Sequence, residues 1–202
     1  HANAEIAKAA YDTLWEIANG AIAPGRTDQA MRVAQALLGA LATDAPEAIR
    51  LKLLRLLAIG APEGCDLAPV VSLLGDSVMA EHARTTLERI GTAEARTALR
   101  DALTGADTAW ATALVNSLGA LRDTESLPAI AGHLSSEDAG LRAAAARALA
   151  WTGDPAYADR LRQVAAQATP ETQLDATDAL LRYADAMAIR GGNWDRAIAL
   201  FR

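Results

Sequence analysis

The sequence predicts an all-α chain, an α-solenoid (α-α superhelix) of stacked antiparallel helix pairs with a period of 31 residues. Three observations predict it. Of the 202 residues, 51% are hydrophobic but only 4% are aromatic, and alanine fills the difference in runs such as Ala143 to Ala146. Alanine is the best helix former, whereas strands favour β-branched and aromatic residues. Second, Leu56, Leu87, Leu118, Leu149 and Leu180 form a column stepping by 31, each four residues before the anchor positions Gly60, Gly91, Arg122, Gly153 and Ala184. Third, the positions eight, four and one before each anchor share one helical face. The first of these reads Lys52, Ala83, Leu114, Ala145 and Ala176, and the last Ile59, Ile90, Leu121, Thr152 and Tyr183, so the face is mostly apolar and is the expected buried stripe.

The elements follow in chain order. A helix is expected from Ala4 to Asn19, a break at Ala23-Pro24-Gly25, a helix from Asp28 to Ala42, and the first helix in register from Pro46 to Ile59. Residues 1–45 therefore read as a diverged N-terminal repeat or cap, and 46–190 as regular repeats. Each anchor glycine suits the left-handed position that ends many helices. The second helix of each pair is expected to start at once, at Ala61-Pro62-Glu63, Thr92-Ala93-Glu94, Asp123-Thr124-Glu125, and at Asp154-Pro155 with Asp154 as N-cap and Pro155 in the first helical position. These second helices show their own stripes: Leu67, Val70 and Leu74; Leu99 and Leu103; Leu127, Ile130 and Leu134; Leu161, Val164 and Ala165. Breakers such as Gly105-Ala106-Asp107 and Thr169-Pro170 separate the units. After Ala184 the helix runs toward Ile189, breaks at Gly191-Gly192 and restarts at Asn193. Residues 191–202 read as the start of a truncated repeat, because Trp194, Ile198, Leu200 and Phe201 lack the polar cap of a solenoid end. The expectation is one repeat domain over 1–202, part of a longer protein, with association through its C-terminal end allowed.

Composition narrows the function classes. The net charge of -6 argues against a nucleic-acid partner, whose binders carry a basic footprint. Arginine dominates the 19 basic residues, since only Lys8 and Lys52 are lysines. The single cysteine, Cys65, allows neither an intrachain disulfide nor a multi-cysteine metal site. No apolar run approaches the ~20 residues of a membrane span, so no membrane insertion is expected. Residues 1 to 20 lack the charged start and apolar block of a signal peptide, and cytoplasmic and exported locations stay equally open.

The segment Leu141-Arg142, Ala144-Ala145, Ala148-Leu149 and Gly153-Asp154-Pro155 resembles the HEAT-like repeats of phycobilin lyases, and Leu118-Gly119-Ala120-Leu121 with Asp123 resembles the end of a second copy. The resemblance extends over roughly Asp44 to Tyr183. It departs from the pattern where Arg50 stands one position out of register, where Ala80 and Ala111 replace the early arginine, and where Arg122 replaces the turn glycine. It implies a curved array whose inner surface is lined by one helix of each pair, taken here as the helices that end at the anchors. It does not imply one activity, because such folds host scaffolds, lyase subunits, metal hydroxylases and DNA glycosylases.

No catalytic constellation is expected, and no cofactor or metal. His1, His82 and His133 are dispersed, and Glu81-His82 reverses the His-Glu order of the iron-holding hydroxylases. Cys65 stands near the expected start of a second helix, where amide groups lower a thiol pKa; the competing and favoured reading is a small residue in a turn. Gly191-Gly192 lacks the spacing of a phosphate loop, and Asp175, Asp178 and Asp185 fit a solvated helix face. The columns two and six before the anchors lie opposite the stripe. They read Ala58, Arg89, Ala120, Trp151, Arg182 and Leu54, Thr85, Asn116, Arg147, Asp178. Arg89, Asn116, Arg147, Trp151, Asp178 and Arg182 are therefore the candidate binding residues of a concave face, since Trp and Arg concentrate at interaction hot spots. Trp151 either faces a partner or packs over the neighbouring repeat; Trp15 and Trp110 read as packing residues. The leading expectation is a non-catalytic protein-binding or scaffolding module with a protein partner. The alternative is a lyase-like or accessory subunit that binds a chromophore or other small ligand.

Overall fold

The computed structural model describes residues 2–201, and every regular element among them is helical. In order these are α1 (Ala2–Ala21), α2 (Thr27–Leu41), α3 (Glu47–Leu57), α4 (Ala68–Val71), α5 (Ala80–Ile90), α6 (Ala93–Leu103), α7 (Thr108–Ala120), α8 (Leu127–Gly132), α9 (Ala139–Leu149), α10 (Ala158–Ala166), α11 (Gln173–Gly191) and α12 (Trp194–Ala199). Single 3-10 turns cover Ser72–Gly75, His133–Ser135 and Pro155–Tyr157. The chain divides into two compact units, His1–Leu99 and Arg100–Arg202.

In the first unit, α1 packs on α2 and α3, α2 on α3 and α4, α3 on α5, and α4 on α5. First helices thus stack on first helices and second on second. The pair α1 and α2 takes the place of a repeat, but its helices are 20 and 15 residues long against 11 for α3, which is why the 31-residue step fails there. The column leucines Leu56 and Leu87 are buried. Between α3 and α5, Thr86 Oγ1 bonds to the Leu54 carbonyl of the neighbouring helix at 3.3 Å as well as to its own His82 carbonyl at 2.8 Å.

Two expectations fail in this unit. The second helix does not begin at Ala61-Pro62-Glu63: a turn with Gly64 at φ 83 intervenes, and α4 starts at Ala68, whose amide donates to Asp66 Oδ1 at 3.0 Å. After only four residues α4 tightens into the 3-10 turn, and the changed winding buries Leu73 rather than Leu74. Nor is Gly60 left-handed. A Cβ there would come within 3.0 Å of Ile22 Cγ2, so close approach, not backbone freedom, suits glycine to that position.

In the second unit, α7 packs on α9, α9 on α11 and α11 on α12, while α8 packs on α9 and α10 on both α9 and α11. Leu118, Leu149 and Leu180 are buried as expected. So is a further column, five before the anchors: Ser117, Ala148 and Ala179. Its small side chains let the helices approach. A Cβ on Gly119 would lie 2.6 Å from Ala148 Cβ, and one on Gly153 would lie 2.6 Å from the backbone of Ala186 and Met187.

The turns of this unit are held by carboxylates. Asp123, 4% exposed, accepts from Arg100 Nη1 at 2.7 Å and from the Ser126 amide at 2.9 Å, and Arg100 Nη2 reaches Glu125 at 3.0 Å. That capped turn occupies 123–126, so α8 begins at Leu127 rather than at Asp123. Asp154 caps the Ala156 amide at 3.0 Å with Pro155 leading the 3-10 turn, as its sequence suggests. Tyr183, fully buried on α11, donates its hydroxyl to the Asp154 carbonyl, and burial raises its pKa well above the usual phenol range.

Gly91 and Gly153 take the left-handed conformation expected of anchors, at φ 63 and 61. Arg122 takes it too, at φ 49, among the described residues the one non-glycine with positive φ. The turn geometry therefore survives the loss of its glycine, at a cost of roughly 1–2 kcal/mol.

Candidate functional site

The outward columns keep their place in the second unit and only partly in the first. In the second unit Asn116, Ala120 and Arg182 are exposed, and Arg147, Trp151 and Asp178 are half-buried. In the first unit Arg89 is exposed, but Leu54 is only 1% exposed, so that member of the column belongs to the core.

Helices α7, α9 and α11 bring four of the six candidate residues into two bonded groups, and the turn after α9 adds Trp151. Arg147 spans three helices: its Nη2 donates to Asn116 Oδ1 at 3.1 Å, and its Nη1 pairs with Asp175. Arg182 Nε pairs with Asp178 Oδ2 at 2.6 Å, one helical turn back. Arg147, Trp151 and Arg182 line one open cleft of about 490 Å³. Asn116 and Asp178 hold Arg147 and Arg182 in place. Arg89 belongs to the first unit, where it lines a cleft of about 290 Å³ with Trp15, Arg55 and His82. Trp15 is accordingly not the packing residue it was expected to be: it is 43% exposed, because the longer α1 carries its ring out beside Tyr11, 6.3 Å between centroids. Trp110 is half-buried, its amide capped by Asp107 at 2.8 Å.

Two cleft residues escaped the sequence reading, Arg122 and Arg190. The left-handed turn after α7 places the Arg122 guanidinium over the Trp151 ring, 5.9 Å from its centroid, within cation–π range. Arg190 Nη1 donates to the Trp151 carbonyl at 3.0 Å. Helix α11 makes this possible, since it runs past the anchor position Ala184 to Gly191 before Gly192 ends it at φ 62. Arginine in place of an anchor glycine is the signal that could have found Arg122. Nothing local marks Arg190, because its contact is made 39 residues away in sequence.

Trp151 is half-buried and also lines the cleft. Its indole Nε1 is buried and meets no hydrogen-bond acceptor among the described residues, a state that costs about 1–3 kcal/mol. The charges around it do not cancel. Four arginines stand against three carboxylates: Asp175 and Asp178 engage Arg147 and Arg182, Asp185 lines the cleft, and Arg122 and Arg190 form no ion pair among the described residues. The lining of a chain with net charge -6 is thus locally cationic and rich in donors.

The other candidate groups have structural surroundings. Cys65 is 5% exposed with its Sγ 3.5 Å from Met31 Sδ, and burial, then the nearby Glu94 charge, push the thiol up, opposite to activation. Among the described residues no three or more His, Cys, Asp or Glu side chains gather as metal ligands; His1 lies outside the described residues. No described helix is long and apolar enough to cross a membrane.

Comparison with curated proteins finds no match for the chain. Residues 105–181, which carry α7 to α10 and the first half of α11 and so Arg122, Arg147 and Trp151, match the family model for HEAT repeats.

Proposed function

We propose that the chain is a non-catalytic protein-binding or scaffolding module that receives its partner on the outward face of its first helices. One observation carries the reading: the open cleft in which Trp151 stands beside two arginines that have no ion partner among the described residues. Trp and Arg are the residue types that concentrate binding energy at interfaces, and stacked repeats present an extended surface on which such anchors can be combined. The HEAT-repeat match supports the reading, since that architecture commonly serves protein interactions. Arg89, Asn116, Arg147, Trp151, Asp178 and Arg182 are the proposed binding residues, joined by Arg122 and Arg190.

A second reading, a lyase-like or accessory subunit holding a chromophore or other small ligand, draws on the cleft volume. About 490 Å³ falls within the roughly 300–1,000 Å³ typical of small-ligand sites. The resemblance to phycobilin lyase repeats favours a tetrapyrrole as that ligand.

Affinity capture from the native host's lysate tests the first reading. Wild type is compared with a Trp151→Ala, Arg182→Glu double variant whose fold is verified by circular dichroism. A macromolecule held by wild type and lost by the variant is the expected result. Equal retention by both, or by neither, refutes it, and a coloured small ligand co-purifying alone supports the second reading instead.

A further inference from the structure

We infer that the Trp151 cleft accepts a short acidic peptide segment, one or two carboxylates beside an aliphatic side chain. This rests on the protein-binding reading above and names the chemistry of the partner. The argument begins with hydrogen-bond inventory. A guanidinium offers five N–H donors and an indole one, and neither accepts. Around Trp151 stand the Arg122 guanidinium over the ring and the Arg190 guanidinium held to the Trp151 carbonyl at 3.0 Å; the indole Nε1 is buried, so the donors an occupant meets are those of the arginines. Among the described residues Asp185 is the one carboxylate in the lining. An occupant that satisfies such a site brings acceptors and negative charge, and a carboxylate does both, binding arginine through two parallel bonds.

The remaining lining sets the rest of the ligand. Ala120, Ala150 and Ile189 supply apolar surface, with Ile189 66% exposed, so an aliphatic side chain next to the carboxylates has a place to pack. A continuous polyanion does not fit as well. Asp175, Asp178 and Asp185 all stand on α11 near the cleft, and a phosphate backbone that ran past Arg122 and Arg190 would meet them on a chain already at -6. The cationic surface is local, matched to one or two charges.

The test is a nuclear magnetic resonance titration of the ¹⁵N-labelled chain, following the indole N–H of Trp151 assigned with Trp151→Phe. The probes are a capped Ala-Leu-Asp-Glu-Ala peptide, its uncharged analogue Ala-Leu-Asn-Gln-Ala, and a single-stranded deoxyoligonucleotide. The acidic peptide is expected to shift the Trp151 resonance saturably, to bind at least about tenfold more tightly than the analogue, and to weaken with added salt. Arg122→Gly, which suits the left-handed backbone, and Arg190→Gln, which keeps a donor for the Trp151 carbonyl, should each lower the affinity by a similar factor with circular dichroism unchanged. Equal binding of the two peptides, tighter binding of the oligonucleotide, or no shift at millimolar peptide overturns the inference. If the lysate partner is nevertheless retained by wild type and lost by the cleft variant, only the acidic class falls and the protein-binding reading stands.

Discussion

Replacing Gly153 with alanine separates two reasons for a glycine, and a second glycine provides the control. Gly153 and Gly192 both lie in the second unit and share a left-handed backbone, φ 61 and 62. They differ in their surroundings. A Cβ on Gly192 meets nothing within 4 Å, whereas one on Gly153 would stand 2.6 Å from the Ala186 carbonyl carbon and the Met187 nitrogen. The conformational cost is common to both, about 1 kcal/mol or slightly more. The contact is specific to Gly153: non-bonded carbons settle at about 3.5–4.0 Å, so roughly an ångström of overlap must be relieved by moving the backbone of α11. Overpacking of that kind costs about 1–3 kcal/mol, which brings Gly153→Ala to about 2–4 kcal/mol against about 1 for Gly192→Ala. For a chain of this length, thermal unfolding followed by circular dichroism should then fall by about 5–15 °C for Gly153→Ala and about 2–4 °C for Gly192→Ala. Equal shifts would refute the close packing of the α9 turn on α11 and leave conformation as the whole cause.

Asp123→Asn should destabilise the chain by about 2–4 kcal/mol in urea unfolding, because it leaves the Arg100 guanidinium, 20% exposed, beside a neutral group in a buried turn; a change below about 0.5 kcal/mol would show that Glu125 alone suffices. Asp76 accepts the amides of Val78 and Met79, which hold its carboxyl below its ordinary value of 3.8, with desolvation opposing and Arg50 assisting. A depressed folded-state pKa gives stability that is present above pH 3.8 and lost as pH falls through the folded value. The fall in melting temperature on acidification below that point should therefore be shallower in Asp76→Asn than in wild type, and parallel curves would contradict the assignment. Cys65 should react with iodoacetamide at neutral pH at least about tenfold more slowly in the folded chain than in denaturant, given its burial and raised pKa; equal rates would mean the thiol is open to solvent.

The sequence was most legible where the controlling interaction is local. A column such as Leu118, Leu149 and Leu180 is buried because helical spacing alone puts it on one face, and that holds in every unit. Asp154-Pro155 was readable for the same reason, since a cap and its amide are two residues apart. Legibility fell at the second helices. There, Asp66 and Asp123 build capped turns that delay α4 and α8, and a 3-10 turn moves burial from Leu74 to Leu73. The candidate site divides along the same line. Asn116, Arg147, Trp151, Asp178 and Arg182 were found from their column, but Arg122 and Arg190 reach Trp151 only through a left-handed turn and an extended α11.

From the sequence alone came the helical class, the period, the buried leucine stripe and the outward columns with their tryptophan and arginines, all consequences of spacing along a single helix. Tertiary structure alone decided how near the helices come, which small residues permit it, and which long side chains converge on Trp151. Lateral approach depends on the summed sizes of side chains from two helices, as at Gly119 against Ala148. The direction of an arginine depends on acceptors far away in the chain, as when Arg190 finds the carbonyl of Trp151.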